Sequence, residues 1–114
     1  MTLTKGQQEM KKFLIVMMML TTPQVSMAED SRFDVCKSYG AYASSVMSAR
    51  QSGMPATALY ERAANPELGD NLSKMMNTVI GLAYSRPLFH TLRHQQRVIS
   101  EFESDIVVSC MGGK

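Results

Sequence analysis

Tryptophan is absent from this chain of 114 residues, cysteine occurs twice, and aromatic residues make up 7% of it. So small an aromatic set offers no platform on which nucleobases would stack. No CxxC pair is present, which argues against a cysteine-based metal site. A GxSxG elbow and a glycine-rich phosphate loop are missing too, and with them two signatures of hydrolases and nucleotide-binding enzymes. No run alternates with period two, so strands are not expected. Charge of one sign is also scarce. The formal net charge is +2, yet from Glu29 onward nine Lys/Arg face nine Asp/Glu. A general nucleic-acid binder carries a clear basic excess. Neither an enzyme nor a nucleic-acid binder is expected.

What is present begins with a leader. Lys5, Lys11 and Lys12, opposed only by Glu9, precede an unbroken apolar run over residues 13–20. Pro23 breaks that helix, and Ser26-Met27-Ala28 sets small residues at the two positions a signal peptidase reads. This is the layout of a secretory signal peptide. Residues 1–28 are expected to be removed by cleavage after Ala28, leaving residues 29–114 as one domain. An uncleaved anchor is the lesser reading, because the run falls short of the ~20 apolar residues that span a bilayer. No stable span is therefore expected after cleavage. No cysteine stands at the cleavage site to carry a lipid. Translation from Met1 or from Met10 stays open.

Export decides how the cysteines are read. Cys36 lies near the start of the mature chain and Cys110 near its end. In an oxidising compartment such an isolated pair is expected to form a disulfide. Closing a loop of this length constrains the unfolded chain by roughly 4 kcal/mol. That is a large share of the ~5–10 kcal/mol net stability of a small domain.

Helical periodicity fills the rest. Phe33, Cys36, Tyr39, Ala43, Val46 and Met47 recur at three- and four-residue steps and predict a helix over 31–52. Gly53 then serves as its C′ residue, and Pro55 prevents continuation. A short second helix over 55–64 ends at Asn65-Pro66. Leu72, Met75, Met76, Val79, Ile80 and Ala83 predict a third, capped by Asp70 or Asn71 and stopped after Tyr84 by Pro87. Gly81 within it marks either a close helix contact or a tolerated glycine. Val98, Ile99, Phe102, Ile106 and Cys110 predict a fourth over 91–111, ended by Gly112-Gly113. The fold class is all-α, a small bundle or orthogonal array of about four helices. A Cys36–Cys110 bridge makes the first and last helices antiparallel neighbours. The register then pairs Tyr39 with about Val107, Met47 with about Ile99 and Arg50 with about Gln96.

That register gathers Arg50 and Gln51 beside His94, Gln95, Gln96 and Arg97, with Arg86, His90 and Arg93 in the lead-in. Cations at a helix N-terminus oppose its macrodipole, as do Glu101, Glu103 and Asp105 toward the other end. Charges placed against local preference point to a surface kept for an acidic or anionic partner. The partner-binding candidates are Arg50, Gln51, Arg86, Arg93 and Arg97. The competing reading is a solvated face, with Arg50 tying down the end of the first helix. His90 and His94 stand four apart, a spacing that can chelate a cation. However, the residues between them lack the glutamate of HExxH, and the adjacent arginines repel a metal. No metal or other cofactor is expected. The paired Met75-Met76 reads as core in preference to an adaptable groove.

The order of these features is itself familiar. Cys36, then Val46-Met47 leading to Arg50-Gln51-Ser52-Gly53, is followed by Val79-Ile80, Ala83-Tyr84 and Pro87, then Gln96-Arg97, Ile99-Ser100-Glu101-Phe102 and Cys110. The pattern resembles small exported two-cysteine proteins of phages, prophages and their proteobacterial hosts. That group has no established activity. The resemblance implies a bacterial envelope setting, periplasmic or secreted, and supplies no mechanism. The expectation is a protein-binding module that modulates an envelope partner, for example in phage lysis timing or superinfection exclusion. The alternatives are a small periplasmic stress or chaperone-like protein, or a protein with no separable activity. Oligomeric state is left open.

The staple carries the first prediction. Reduction, or Cys36→Ser, should lower the melting temperature by well over ~10 °C if about 3–4 kcal/mol is lost from a domain of this size. Thermal denaturation with and without reductant measures it, and no shift would refute the bridge.

Overall fold

The computed structural model describes the backbone of residues 23–113 and the side chains of residues 31–113. The leader's lysines and apolar run lie outside the described residues. The described residues form four α-helices and no strand: α1 (Pro23–Gln51), α2 (Ala56–Ala63), α3 (Asp70–Tyr84) and α4 (Leu92–Cys110), with a 3-10 turn at Pro66–Leu68 between α2 and α3. Contacts divide the chain between Asp34 and Val35. The packing below concerns Val35–Lys114.

Pro23 opens α1 where the sequence suggested a break, and the helix starts well before the expected Ser31. At a first helical position proline lacks only an N–H that has no intrahelical partner, and no residue after it breaks the helix. The far end of α1 follows expectation. Gly53 sits at φ 87°, its N–H donates to Arg50 C=O at 3.1 Å, and Met54 N–H donates to Ala49 C=O at 3.0 Å. These two bonds form a Schellman motif, which satisfies the last carbonyls of a helix and favours glycine at the left-handed position. Gly112 (φ 93°) and Gly113 close α4 in the same way, through Gly112 N–H to Ser109 C=O at 3.1 Å and Gly113 N–H to Val108 C=O at 2.9 Å.

The start of α3 departs from expectation. Its N-cap is Gly69, at φ 83°, with no side-chain cap bond. Asp70 is instead the first helical residue, where its carboxylate faces the positive end of the macrodipole. Ser73 replaces the missing cap as an anchor, its hydroxyl donating to Ala63 C=O at 2.6 Å and tying α3 to the end of α2.

Four helices deliver one core: Ala43, Val46 and Met47 from α1, Leu59 and Ala63 from α2, Val79, Ile80 and Ala83 from α3, and Val98 and Phe102 from α4. Phe102 and Met47 are its largest fully buried side chains. Ala43, Ala63 and Ala83 have no exposed surface, and their short side chains let the helix backbones approach. Met75 and Met76 are partly buried and pack against this core. Leu72, expected on the apolar stripe of α3, is 37% exposed.

α1 and α4 are antiparallel and pack closely. Cys36 and Cys110 are disulfide-bonded, with Cα atoms 5.5 Å apart. One turn along α1, Gly40 lies against α4 so tightly that an added Cβ would stand 2.5 Å from Val107 Cγ2 and 3.4 Å from Glu103 Cγ. This contact falls within a residue of the expected Tyr39–Val107 pairing. Gly81, the glycine that the sequence singled out, is less constrained. A Cβ there would meet Tyr60 Oη at 3.4 Å and nothing nearer.

The two glycines should therefore respond oppositely to the same change. Gly40→Ala should cost about 1–3 kcal/mol by overpacking, with partial recovery in Gly40→Ala/Val107→Ala. Gly81→Ala should be neutral or stabilising by up to ~1 kcal/mol through helix propensity. Urea denaturation of the three variants measures both.

Candidate functional site

The connection between α3 and α4, residues 85–91, is short and polar in its anchoring. Its backbone is held by side chains from the C-terminus of α1. Gln51 is 6% exposed, the single buried polar residue of the described core. Its Nε2 donates to Pro87 C=O at 2.9 Å, its Oε1 accepts from Phe89 N–H at 2.8 Å, and Nε2 makes a longer contact to Met47 Sδ at 3.6 Å. An amide is the side chain that can satisfy a carbonyl and an N–H together. Arg50 reaches the same segment, with Nε and Nη2 donating to Arg86 C=O at 3.4 and 3.3 Å.

α4 holds the segment from the other side. Gln95 Nε2 donates to Phe89 C=O at 2.8 Å. Thr91 is the N-cap of α4, its Oγ1 accepting His94 N–H at 3.3 Å and lying 2.8 Å from His94 Nδ1. The His94 ring packs against Phe89 with centroids 5.7 Å apart. His90 lies before α4 begins, so the two histidines do not share a helical face. Among the described residues no group of three or more His, Cys, Asp or Glu is placed to hold a metal.

The arginines divide into two kinds. Arg50 and Arg86 work within the fold. The Arg50 guanidinium stands 5.2 Å from the Tyr84 ring centroid, and Tyr84 in turn donates its hydroxyl to Met54 C=O. Burial pushes the Tyr84 phenol above its usual value, and the Arg50 charge partly offsets this. Arg86 pairs with Asp105 at 2.7 Å and covers the Phe102 ring at 4.8 Å. That ion pair is exposed and worth no more than ~1 kcal/mol; the cover over Phe102 adds packing.

Arg93 and Arg97 are different. Both are exposed, they share a face of α4 at i and i+4, and neither forms an ion pair among the described residues. Arg93 lies in the first turn of α4, a turn with no acidic residue, so it opposes the macrodipole there without a neutralising neighbour. Leu92, next to Arg93 in the chain, is 68% exposed, and Leu88 in the linker is 39% exposed. The structure thus sets Arg50 and Gln51 on the linker backbone, ties the linker's Arg86 to α4 through Asp105, and leaves Arg93 and Arg97 exposed on α4. The leucines were not marked by the sequence, since Leu88 follows a proline outside any periodic stripe and Leu92 opens a helix.

Comparison with known protein families, curated proteins and solved structures returns no match.

The clamp gives a stability prediction. Gln51→Ala strands the Pro87 carbonyl and the Phe89 N–H, and should cost about 2–4 kcal/mol on the usual penalty for unsatisfied buried groups. Hydrogen exchange at the Phe89 amide should accelerate beyond the effect on global stability. Unchanged protection at Phe89 would count against the clamp.

Proposed function

We propose that this chain is a protein-binding module of the bacterial envelope, holding its partner through the surface formed by Leu88, Leu92, Arg93 and Arg97. The observation that carries this reading is an exposed Leu92 and two exposed, unpaired arginines at the start of α4, the helix that follows a linker pinned by a buried glutamine. A pinned segment loses little conformational freedom on binding, which favours association. The partner it suits presents carboxylates flanking an apolar side chain. Arginine is a preferred residue at such interfaces because it packs and pairs at once.

The disulfide supports a setting outside the reducing cytoplasm, and no described helix is long and apolar enough to cross a membrane. The leader and the resemblance to exported phage and prophage proteins support the periplasm. A modulator of an envelope protein, acting in lysis timing or superinfection exclusion, fits that setting.

Affinity capture from periplasmic extract, comparing the native chain with Arg93→Glu/Arg97→Glu, tests the surface. Recovery of a specific partner should fall about tenfold or more, equivalent to ~1.4 kcal/mol, and native binding should weaken as salt rises. Both residues are exposed, so the variant should keep the native melting temperature. Equal recovery by the two chains would remove the assignment. General suppression of aggregation of unrelated clients would replace it with a chaperone-like role.

A further inference from the structure

At the opposite end of the α1–α4 seam, an open groove of about 390 Å3 is lined by Tyr39 of α1, Met75, Val79 and Leu82 of α3, and Ile106 and Cys110 of α4. The two sulfur-bearing residues of the disulfide differ in access. Cys36 is 2% exposed, whereas Cys110 is partly exposed and forms part of the groove wall. Among the described residues no carboxylate lines the groove, and its polar side chains are Thr78, Ser109 and the Tyr39 phenol. An incoming anion meets no like charge among these lining residues.

We infer that this groove is a thiol–disulfide exchange site, with Cys110 as the sulfur that is attacked. Exchange proceeds by a thiolate adding to one sulfur of a disulfide, and access determines which. The co-reactant is a dithiol reductant. Its first thiolate bonds to Cys110 Sγ as the Sγ–Sγ bond breaks, and Cys36 leaves with the electron pair and takes a proton from solvent. The reductant's second thiolate then attacks its own sulfur in the mixed disulfide. That closes a disulfide in the reductant and releases Cys110 as a thiolate, completing a two-electron transfer. The reaction frees the first and last helices from their covalent link at this end. The Gln51 clamp on the linker lies at the far end and shares no residue with the groove.

Reduced glutathione serves as the probe, applied to the oxidised full chain without denaturant, with acid quenching, alkylation and peptide mapping. The early mixed disulfide should sit on Cys110 in several-fold excess over Cys36, with a rate proportional to glutathione concentration. Leu82→Trp, at a position already 47% exposed, should narrow the groove mouth and slow the reaction several-fold without lowering the melting temperature. Equal labelling of the two cysteines would overturn the inference, because it marks reduction through the unfolded chain. So would a rate independent of glutathione concentration.

Discussion

The covalent link between Cys36 and Cys110 makes α1 and α4 neighbours, and the shared core is built against that seam. Gly40 allows the two backbones to close on each other, and Ala43, Val46 and Met47 then meet Val98 and Phe102 in the shared core. α2 and α3 complete that core with Leu59, Ala63, Val79, Ile80 and Ala83. A domain this small buries a modest fraction of its surface, so a tether that limits the unfolded chain matters more than it would in a larger one. The seam is closed at both ends, by sulfur at one and by the Gln51 amide at the other.

The second closure uses polar groups where an apolar side chain would have packed more cheaply. Burying an amide is unfavourable unless its hydrogen bonds are made, and Gln51 makes them to the backbone of a surface segment. Its effect is to hold residues 87–89 in one conformation, and Gln95 and the Thr91 cap hold the same segment from α4. The basic residues at the start of α4 work against the helix dipole, so local helix stability does not account for them. Arg86 is accounted for by Asp105 and Phe102, and Arg50 by the Arg86 carbonyl and Tyr84. Arg93 and Arg97 are left with no such account, which is why the proposed interface rests on them.

The two ends of the seam thereby acquire different chemistry. One presents fixed positive charge beside exposed leucine. The other presents a disulfide at the wall of an apolar groove, with one sulfur-bearing residue buried and its partner accessible. They are separated by the length of the seam, and the tight approach at Gly40 and the buried Ala43 leave little room for the two helices to shift independently.

Much of this architecture was legible in the residues. The three- and four-residue spacing of Val79, Ile80 and Ala83, and of Val98 and Phe102, marks core faces because a helix turns every 3.6 residues. Gly53 and Gly112 mark helix ends because few other residues tolerate positive φ. Two cysteines, one early in the first predicted helix and one late in the last, point to a bridge, and the bridge implies the antiparallel register that Gly40 and Val107 realise. Other features are decided only in three dimensions. The sequence points to Gly81 and passes over Gly40, since helix periodicity is blind to how near a neighbouring backbone comes. Arg50, Gln51, Arg86, Arg93 and Arg97 look alike as one polar cluster. Tertiary packing separates the three that hold the linker from the two that face solvent. The staple could be read from residue type and position along the chain, because the sequence holds two cysteines and they fall on its first and last helices. The groove and the unequal access of its two cysteines exist only where α1, α3 and α4 converge, because burial is a property of neighbours and not of sequence position.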